Sequence, residues 1–484
     1  METTAQAYLE LLRALGVKYL FGNPGTDFAP IIDAFAKYAA EGESSLQPIS
    51  VPHEFCAVSM AHGYTMVTGE PQVVMVHTTV GTANALGALI NASRARIPLI
   101  LTAGRTPITE QGFVGSRDGL IHWAQESFDQ AAMVREYVKW DYELRNFPQL
   151  ETVVRRAFTM AMTEPKGPVY LTLPREVLAE PHAEFKLADE RPIAPAAPAY
   201  PDPQKIEETA ALLAQAEQPL IITRSVGSNP RAVSALVALA DSFALPVIEY
   251  PLPQYSNFPG DHPLHLGFDP GRAIESADLI LVIESDVPWL PSAHKPNPKA
   301  RVVHIGIDPL YSRYPIWGFP ADVAITAEPE IALKLLTAAL AKHRSACEAK
   351  IAGRFERARA EHNKQRESWG EEALRKSELP RINLEWLSHC LNQLADRETI
   401  IVNEYDLRLH HFTIRTPGSY FGHSPAGCLG WGVGAALGVK LAAPDKTVVA
   451  VVGDGSYIFS VPSACHMVSA MHELPILVIV CDNG

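Results

Sequence analysis

The sequence predicts a parallel α/β protein made of three doubly wound domains. Three observations carry that expectation. Strand–turn–helix units follow one another from Tyr19 to Thr102. A proline-rich stretch and a charged stretch then divide the rest of the chain. The chain closes on one more strand–turn–helix–strand unit, from Thr447 to Gly484. Short apolar runs ending in Gly, Asn or His turns, alternating with helical patterns, are the signature of βαβ units on a parallel sheet. The length of 484 residues suits about three domains. The expected boundaries are 1–185, a linker at 186–204, 205–345, a charged connector at 346–379, and 380–484.

Each element has its own justification. Residues 4–15 place Leu9, Leu12 and Leu15 on one helical face, with Thr3 or Thr4 as cap. Tyr19–Phe21 is a short strand that ends in the turn Gly22-Asn23-Pro24-Gly25-Thr26-Asp27, before a helix from Phe28 to Tyr38. The next strand ends at Pro52-His53-Glu54, and a helix rich in small residues runs from Glu54 to Thr68. Val73–Val76 ends at His77-Thr78-Thr79-Val80-Gly81-Thr82, with a helix expected from Ala83 to Ser93. Strand Pro98–Thr102 leads into a long loop, Gly104–Asp129, carrying Arg117, His122, Trp123, Gln125 and Glu126. A loop of that length inside a compact domain is usually functional or disordered, and its aromatic residues favour function.

Prolines at 192, 195, 198, 201 and 203 make 187–203 an extended linker. A second α/β domain follows, with strands at Leu220–Thr223, Pro246–Glu249, Leu279–Ile283 and Arg301–Ile307. The turn after its first strand, Arg224-Ser225-Val226-Gly227-Ser228, is not the glycine pattern of a dinucleotide site. Residues 341–379 read as a charged, solvated connecting helix. Helix Asn383–Leu394 and strand Thr399–Val402, ending at Asn403-Glu404, open the third domain, and Gly427-Cys428-Leu429-Gly430 opens a Gly/Ala-rich helix.

Composition excludes several classes. A net charge of −13 argues against nucleic acid as a partner. Six scattered cysteines without a CxxC pair fit neither a disulfide framework nor a zinc site. The N-terminus is amphipathic rather than a signal peptide, and no apolar run has the length of a membrane span. A cytoplasmic enzyme is the expectation.

The closing unit carries the clearest chemistry. A buried strand, Val448–Val452, runs into Gly453-Asp454-Gly455-Ser456, and a second strand, Ile476–Cys481, runs into Asp482-Asn483-Gly484. Ligands of parallel sheets bind at the carboxyl ends of strands. Asp454 and Asn483 would meet there if the strands are neighbours, and two oxygen ligands suit Mg²⁺ with phosphate. Read alone, Gly-Asp-Gly is equally a tight strand–helix turn. The chain stops where this fold would need more helix and strand, so the third domain is expected to be incomplete.

Gly453-Asp454-Gly455 followed by Asn483 resembles the signature of thiamine diphosphate enzymes. Gly22-Asn23-Pro24-Gly25-Thr26, His53-Glu54, His77 to Asn84, Gly167-Pro168-Val169-Tyr170-Leu171 and Gly427 to Gly430 resemble the same family, which includes benzoylformate decarboxylase, pyruvate decarboxylase and acetolactate synthase. The resemblance implies a pyrimidine-binding first domain, a Rossmann-like middle domain and a diphosphate-binding last domain. It implies thiamine diphosphate and Mg²⁺ as cofactors. FAD, held by the middle domain of some members, stays open but is not expected.

The same resemblance assigns roles. Glu54 would pair with the pyrimidine ring nitrogen; taken alone, it is equally a first-turn acid favoured by the helix dipole. Gly427 would accept from the exocyclic amine through its carbonyl, and Leu429 would hold the cofactor bent, although in isolation Leu429 reads as a core residue. Asp454 and Asn483 would ligate Mg²⁺, with Gly453, Gly455 and Ser456 at the diphosphate. Asn403 stands where relatives contact diphosphate, but Tyr405-Asp406-Leu407 lacks the usual Ser or Thr. His77 and Thr26 occupy the places of an active-site histidine and serine of benzoylformate decarboxylase, and Gln125 resembles a synthase residue that faces the cofactor. His53 would support the site from behind, His294 is a weak candidate, and His410-His411 read as surface residues.

The implied substrate is a 2-oxo acid or 2-hydroxyketone, decarboxylated or ligated. The alternatives are an acetolactate-synthase-like carboligase, a C–C lyase or hydrolase, and, in another class, a non-catalytic regulatory paralogue. The family also implies a homodimer or tetramer in which Glu54 and Asp454 of one site come from different chains.

Overall fold

The computed structural model describes residues 2–42, 46–182, 194–250 and 252–484. Residues 186–193 of the expected linker lie outside the described residues, and 194–202 have no regular structure. The chain forms two compact units, Met1–Ala197 with Ser424–Gly484, and Pro198–His423. The last stretch of sequence therefore belongs with the first, while residues 380–423 belong with the middle of the chain.

The first unit is built on a six-stranded parallel sheet. Its order is Gln47–Ser50, Tyr19–Gly22, Val73–Val76, Ile100–Arg105, Val169–Pro174 and Asp141–Glu143. The inner strands Val73–Val76 and Val169–Pro174 are buried throughout, as strands covered by helices on both faces must be. Asp141–Glu143, a half-exposed edge strand, has too few apolar residues to be seen in the sequence. After Tyr19–Gly22 the chain winds to one side, and with Val73–Val76 it winds to the other. The carboxyl ends of these two neighbours thus bound a topological switch point, where parallel sheets bind ligands.

Two helices of this unit lie in close contact. Glu54–Thr68 packs on Trp431–Ala442, and glycines permit the approach. A Cβ on Gly438 would fall 1.9 Å from Met60 O, and one on Gly63 would fall 2.1 Å from Ala435 O. Also in this unit, the strands Thr447–Gly453 and Leu477–Cys481 pair in parallel.

One helix begins earlier than the sequence pattern suggests, at Thr78 rather than Ala83. Thr and Gly are poor helix formers, so propensity places the start too late. Packing overrides it: Thr82 Oγ1 donates back to Thr78 O at 2.8 Å, and Gly81 lies against Glu54.

The second unit has a five-stranded parallel sheet ordered Val247–Glu249, Pro219–Thr223, Leu279–Ile283, Arg301–Gly306 and Val323–Thr326. It has the same kind of switch point, beside Pro219–Thr223. Thr399–Glu404 and Tyr420–Gly422 form a further parallel pair. The charged stretch is a single helix, Arg344–Ser377. It is not merely solvated, because its polar side chains dock on carbonyls: Arg354 on Ala216, His362 on His265 O at 2.8 Å and Arg366 on Gly260 O at 2.6 Å. His411, expected at the surface, is buried, while its neighbour His410 is exposed. Among the described residues no helix is long and apolar enough to cross a membrane.

Candidate active site

The switch point of the first unit gathers most of the titratable candidates. Strand Tyr19–Gly22 delivers Asn23 and, one short helical turn on, Asp27. Strand Val73–Val76 delivers His77. The helix that follows Gln47–Ser50 begins with Glu54. His53 is the cap of that helix, its Nδ1 accepting from Phe55 N at 3.2 Å, so its ring supports the start of the helix.

Glu54 is only 5% exposed. Its Oε1 accepts from Asn23 Nδ2 at 2.9 Å and its Oε2 from Asn84 Nδ2 at 3.2 Å. A buried carboxylate is costly unless hydrogen-bonded, and two amides meet that requirement without neutralising it. Gly81 allows its close approach to the next helix, since a Cβ there would lie 3.1 Å from Glu54 Oε1. Asn23 and Asn84 stand in motifs visible in the sequence, but only the fold reveals that both serve Glu54.

His77 Nδ1 hydrogen-bonds Asp27 Oδ1. Asp27 is 2% exposed, while the His77 side chain retains 21% exposure. The hydrogen bond to Asp27 holds the His77 imidazole above its ordinary range, against the opposing effect of burial, with Asp27 and Glu54 adding charge in the same direction. Thr26, expected at the place of an active-site serine, is exposed. Its neighbour Asp27 reaches the histidine instead. An acid in a turn gives no sequence signal of this kind, because Asp is common in turns for its own backbone contacts.

Gln125 approaches the other face of the imidazole. Its Nε2 lies 3.5 Å from His77 Nε2, at the outer limit of a hydrogen bond, and its backbone O accepts from Thr79 Oγ1 at 3.1 Å. The loop that carries Gln125 is held by ion pairs: Glu126 meets Arg105 and Arg117, each at 2.5 Å, and Arg175 meets Asp118 at 3.0 Å. Burial and the nearby Arg175 hold the His122 imidazole below its usual range. Phe113, Val114, Leu120, Trp123 and Phe128 of this loop are exposed.

The candidates near the end of the chain form a second group. Gly453 pairs with Cys481, so Asp454 and Asn483 follow neighbouring strands at the same sheet edge. Asp454 is half-buried and Asn483 exposed, while Ser456 is buried and nothing stands within 4 Å of a Cβ built on Gly455. The Gly427 segment is fixed to the Thr78–Arg94 helix. Asn91 Nδ2 donates to Cys428 O at 2.7 Å, its Oδ1 accepts from Cys428 N at 3.2 Å, and Ser424 Oγ donates to Asn91 O at 2.8 Å. Gly427 and Gly430 take the left-handed φ values of +70° and +95° that side chains rarely adopt, and Leu429 between them is half-buried, not a core residue. In the second unit, both ends of the Asn403 amide are engaged: Nδ2 donates to Tyr420 Oη at 3.1 Å, and Oδ1 accepts from Leu407 N at 3.0 Å.

Three family models match most of the chain. They are the N-terminal binding domain of thiamine pyrophosphate enzymes at residues 2–133, the central domain at 206–336 and the C-terminal binding domain at 405–484. The chain belongs to the thiamine diphosphate enzymes. It is 26% identical to a benzoylformate decarboxylase of Pseudomonas aeruginosa, over 100% of this chain and 86% of that one. It is 25% identical to an acetolactate synthase large subunit of Haemophilus influenzae, over 99% of this chain and 82% of the relative. Among solved structures, the thiamine diphosphate-dependent 4-hydroxybenzoylformate decarboxylase of Rhodococcus jostii matches with a TM-score of 0.77 at 26% identity, covering 100% of this chain and 86% of that one. The protein is thus a thiamine diphosphate-dependent enzyme related to decarboxylases and acetolactate synthases.

The residues fit the cofactor. A buried carboxylate held by two neutral amides suits a ring nitrogen, and the uncrowded Gly455 beside Asp454 suits a diphosphate. Among the described residues no group of three or more His, Cys, Asp or Glu gathers as a metal site. An Asp with an Asn side chain, completed by phosphate oxygens, is the donor set a hard divalent cation takes.

Proposed function

We propose that the protein is a Mg²⁺-dependent 2-oxo acid decarboxylase or carboligase of the benzoylformate decarboxylase type. The observation that carries this is the pairing, at one switch point, of buried Glu54 with a partly exposed imidazole, His77. Bound thiamine diphosphate supplies a nucleophilic carbon and an electron sink. Glu54 holds a proton at the pyrimidine nitrogen in a site with little water to compete. His77 gives and takes protons at Nε2, and Gln125 orients that face of the ring. Asp454 and Asn483 hold Mg²⁺; Gly453, Gly455 and Ser456 take the diphosphate; Gly427 and Leu429 position the rings. The exposed apolar side chains of the loop around Trp123 favour an aromatic or large aliphatic 2-oxo acid.

Gln125 also supports a second reading, an acetolactate-synthase-like carboligase, because it approaches the imidazole from a synthase-like segment. Products separate the two: decarboxylation gives an aldehyde, carboligation a 2-hydroxyketone or 2-hydroxy-2-methyl-3-oxo acid. A regulatory paralogue would have no use for Glu54 with two dedicated amides. The active form is proposed to be a cytoplasmic dimer or tetramer sharing its sites between chains, as the family resemblance implies. FAD is not proposed, because Asn257 fills the turn of the middle sheet.

Calorimetry of thiamine diphosphate binding with and without Mg²⁺ tests the cofactor assignment. A panel of aromatic and aliphatic 2-oxo acids, followed by product analysis, tests the reaction. Absence of thiamine diphosphate binding would defeat the proposal.

A further inference from the structure

We propose that Asp27 is a positioning residue that fixes His77 as the Nδ1–H tautomer and leaves its Nε2 as the basic atom facing Gln125. The inference deepens the role given above to His77 and rests on that reading for its catalytic consequence. Its structural content stands apart from the cofactor.

The pair is built into the fold from four sides. Asp27 Oδ1 binds His77 Nδ1, and the other carboxylate oxygen, Oδ2, is buried without a hydrogen-bond partner. A carboxylate buried this deeply, with one oxygen unpaired, needs a strong donor on the other. The imidazole N–H is the donor available. Two glycines provide the room: a Cβ on Gly25 would fall 2.3 Å from His77 Nδ1, and one on Gly104 would fall 1.5 Å from Asp27 Oδ2. Neither space serves another side chain in those contacts. The backbone is also held, because Thr78, directly after the histidine, sits at φ +44°, which a β-branched residue adopts only under constraint.

Proton placement follows from ordinary acidities. A carboxyl group ordinarily titrates well below an imidazole, so the shared proton belongs to Nδ1. Nε2 then carries the lone pair, and Gln125 Nε2, 3.5 Å away, is on the donor side of that contact. In use, Nε2 accepts a proton from a donor in the site and later returns it. Asp27 keeps the tautomer and stabilises the imidazolium. The groups that bear on His77 are Asp27 and Glu54, both raising its affinity for protons, and His122 across the loop. Arg105, on the strand that carries Gly104, is paired with Glu126 and Glu143.

The test is long-range ¹H–¹⁵N NMR of histidine-labelled cofactor-free protein, with His77→Asn assigning the signal. The expected wild-type result is a neutral-form Nδ1–H tautomer and a far-downfield Nδ1 proton. In Asp27→Asn the His77 titration moves to lower pH, the downfield proton is lost and turnover falls by about 10²-fold or more, while Asp27→Glu restores part of each. An Nε2–H tautomer in wild type overturns the proposal even if Asp27→Asn does not fold. So does a His77 titration unchanged in folded Asp27→Asn. Normal thiamine diphosphate binding alongside either result would leave the cofactor assignment intact and sink only the Asp27 role.

Discussion

The two switch points of this chain share a topology and differ in what fills them. In both units the first strand of the sheet sits inside, with the second strand on one side and the third on the other. In the second unit the crevice above Pro219–Thr223 is closed by its own chain. Asn257 Oδ1 accepts from Gly227 N at 2.8 Å, and its Nδ2 donates to Arg224 O and Glu249 Oε2, each at 2.8 Å. Arg224 and Asp286 form a buried ion pair at 2.7 Å, with Tyr314 Oη donating to the other Asp286 oxygen at 3.1 Å. In the first unit the crevice holds Glu54, with only two neutral amides, and Asp27, with one oxygen unpaired. In the second crevice the charged groups are paired within the chain, although Thr223 Oγ1, Gln254 Nε2 and Ser256 Oγ are buried there without a partner; in the first, Glu54 has only neutral partners and Asp27 leaves one oxygen unpaired. Unpaired or weakly paired buried groups mark functional sites because a fold gains nothing from them.

That comparison can be broken by mutation, since the two regions should fail in opposite ways. The largest stability loss is expected at the closed crevice. Asp286→Ala leaves Arg224 buried without its partner and should cost about 3–5 kcal/mol in denaturant unfolding, because breaking a buried pair strands a charge. Glu54→Gln should do the reverse. It should leave stability within about 1 kcal/mol of wild type while lowering turnover by about 10²–10⁴-fold, the usual worth of a positioned proton donor or acceptor. A Glu54→Gln enzyme with full activity would remove the functional meaning of the open crevice.

Smaller effects sharpen the contrast. Gly104→Ala drives a methyl into the Asp27 carboxylate and should destabilise by about 1–3 kcal/mol, as overpacking does. Gly227→Ala meets Ser256 O at 2.3 Å and should cost a similar ~1–3 kcal/mol. Only the first should alter the His77 signal by NMR. The smallest effect is pH-dependent. A histidine whose affinity for protons is raised by folding stabilises the protein at low pH, and that contribution is lost as pH rises through its folded value. Asp27→Asn should therefore lower the melting temperature more below the ordinary imidazole range than well above it. An equal loss at both ends would mean that the pair carries no proton linkage.

Much of the site was legible in the sequence because its residues sit in strand-end motifs. Glu54, His77, Gly427, Asp454 and Asn483 each follow or lie near a glycine- or histidine-marked turn, and turn chemistry is local. Thr26 and Asn403 show the limit. Thr26 stands where the resembled family carries a serine, yet the short helical turn exposes it and buries Asp27. Asn403 stands at a strand end, but Tyr420 and Leu407 use both ends of its amide.

The sequence by itself determined the parallel α/β class, the family and the strand ends that carry chemistry, since periodicity, turn residues and motifs act over a few residues. Only the tertiary structure decided which polar groups meet. Asn23, Asp27, Glu54, His77 and Asn84 come from two strand ends, one short helical turn and two helices, and their contacts span 30 to 50 positions of chain. It also decided that Asn257 bonds across one of two alike crevices, while Glu54 and His77 stand at the other. Such choices depend on long-range packing, which leaves no local mark in a sequence.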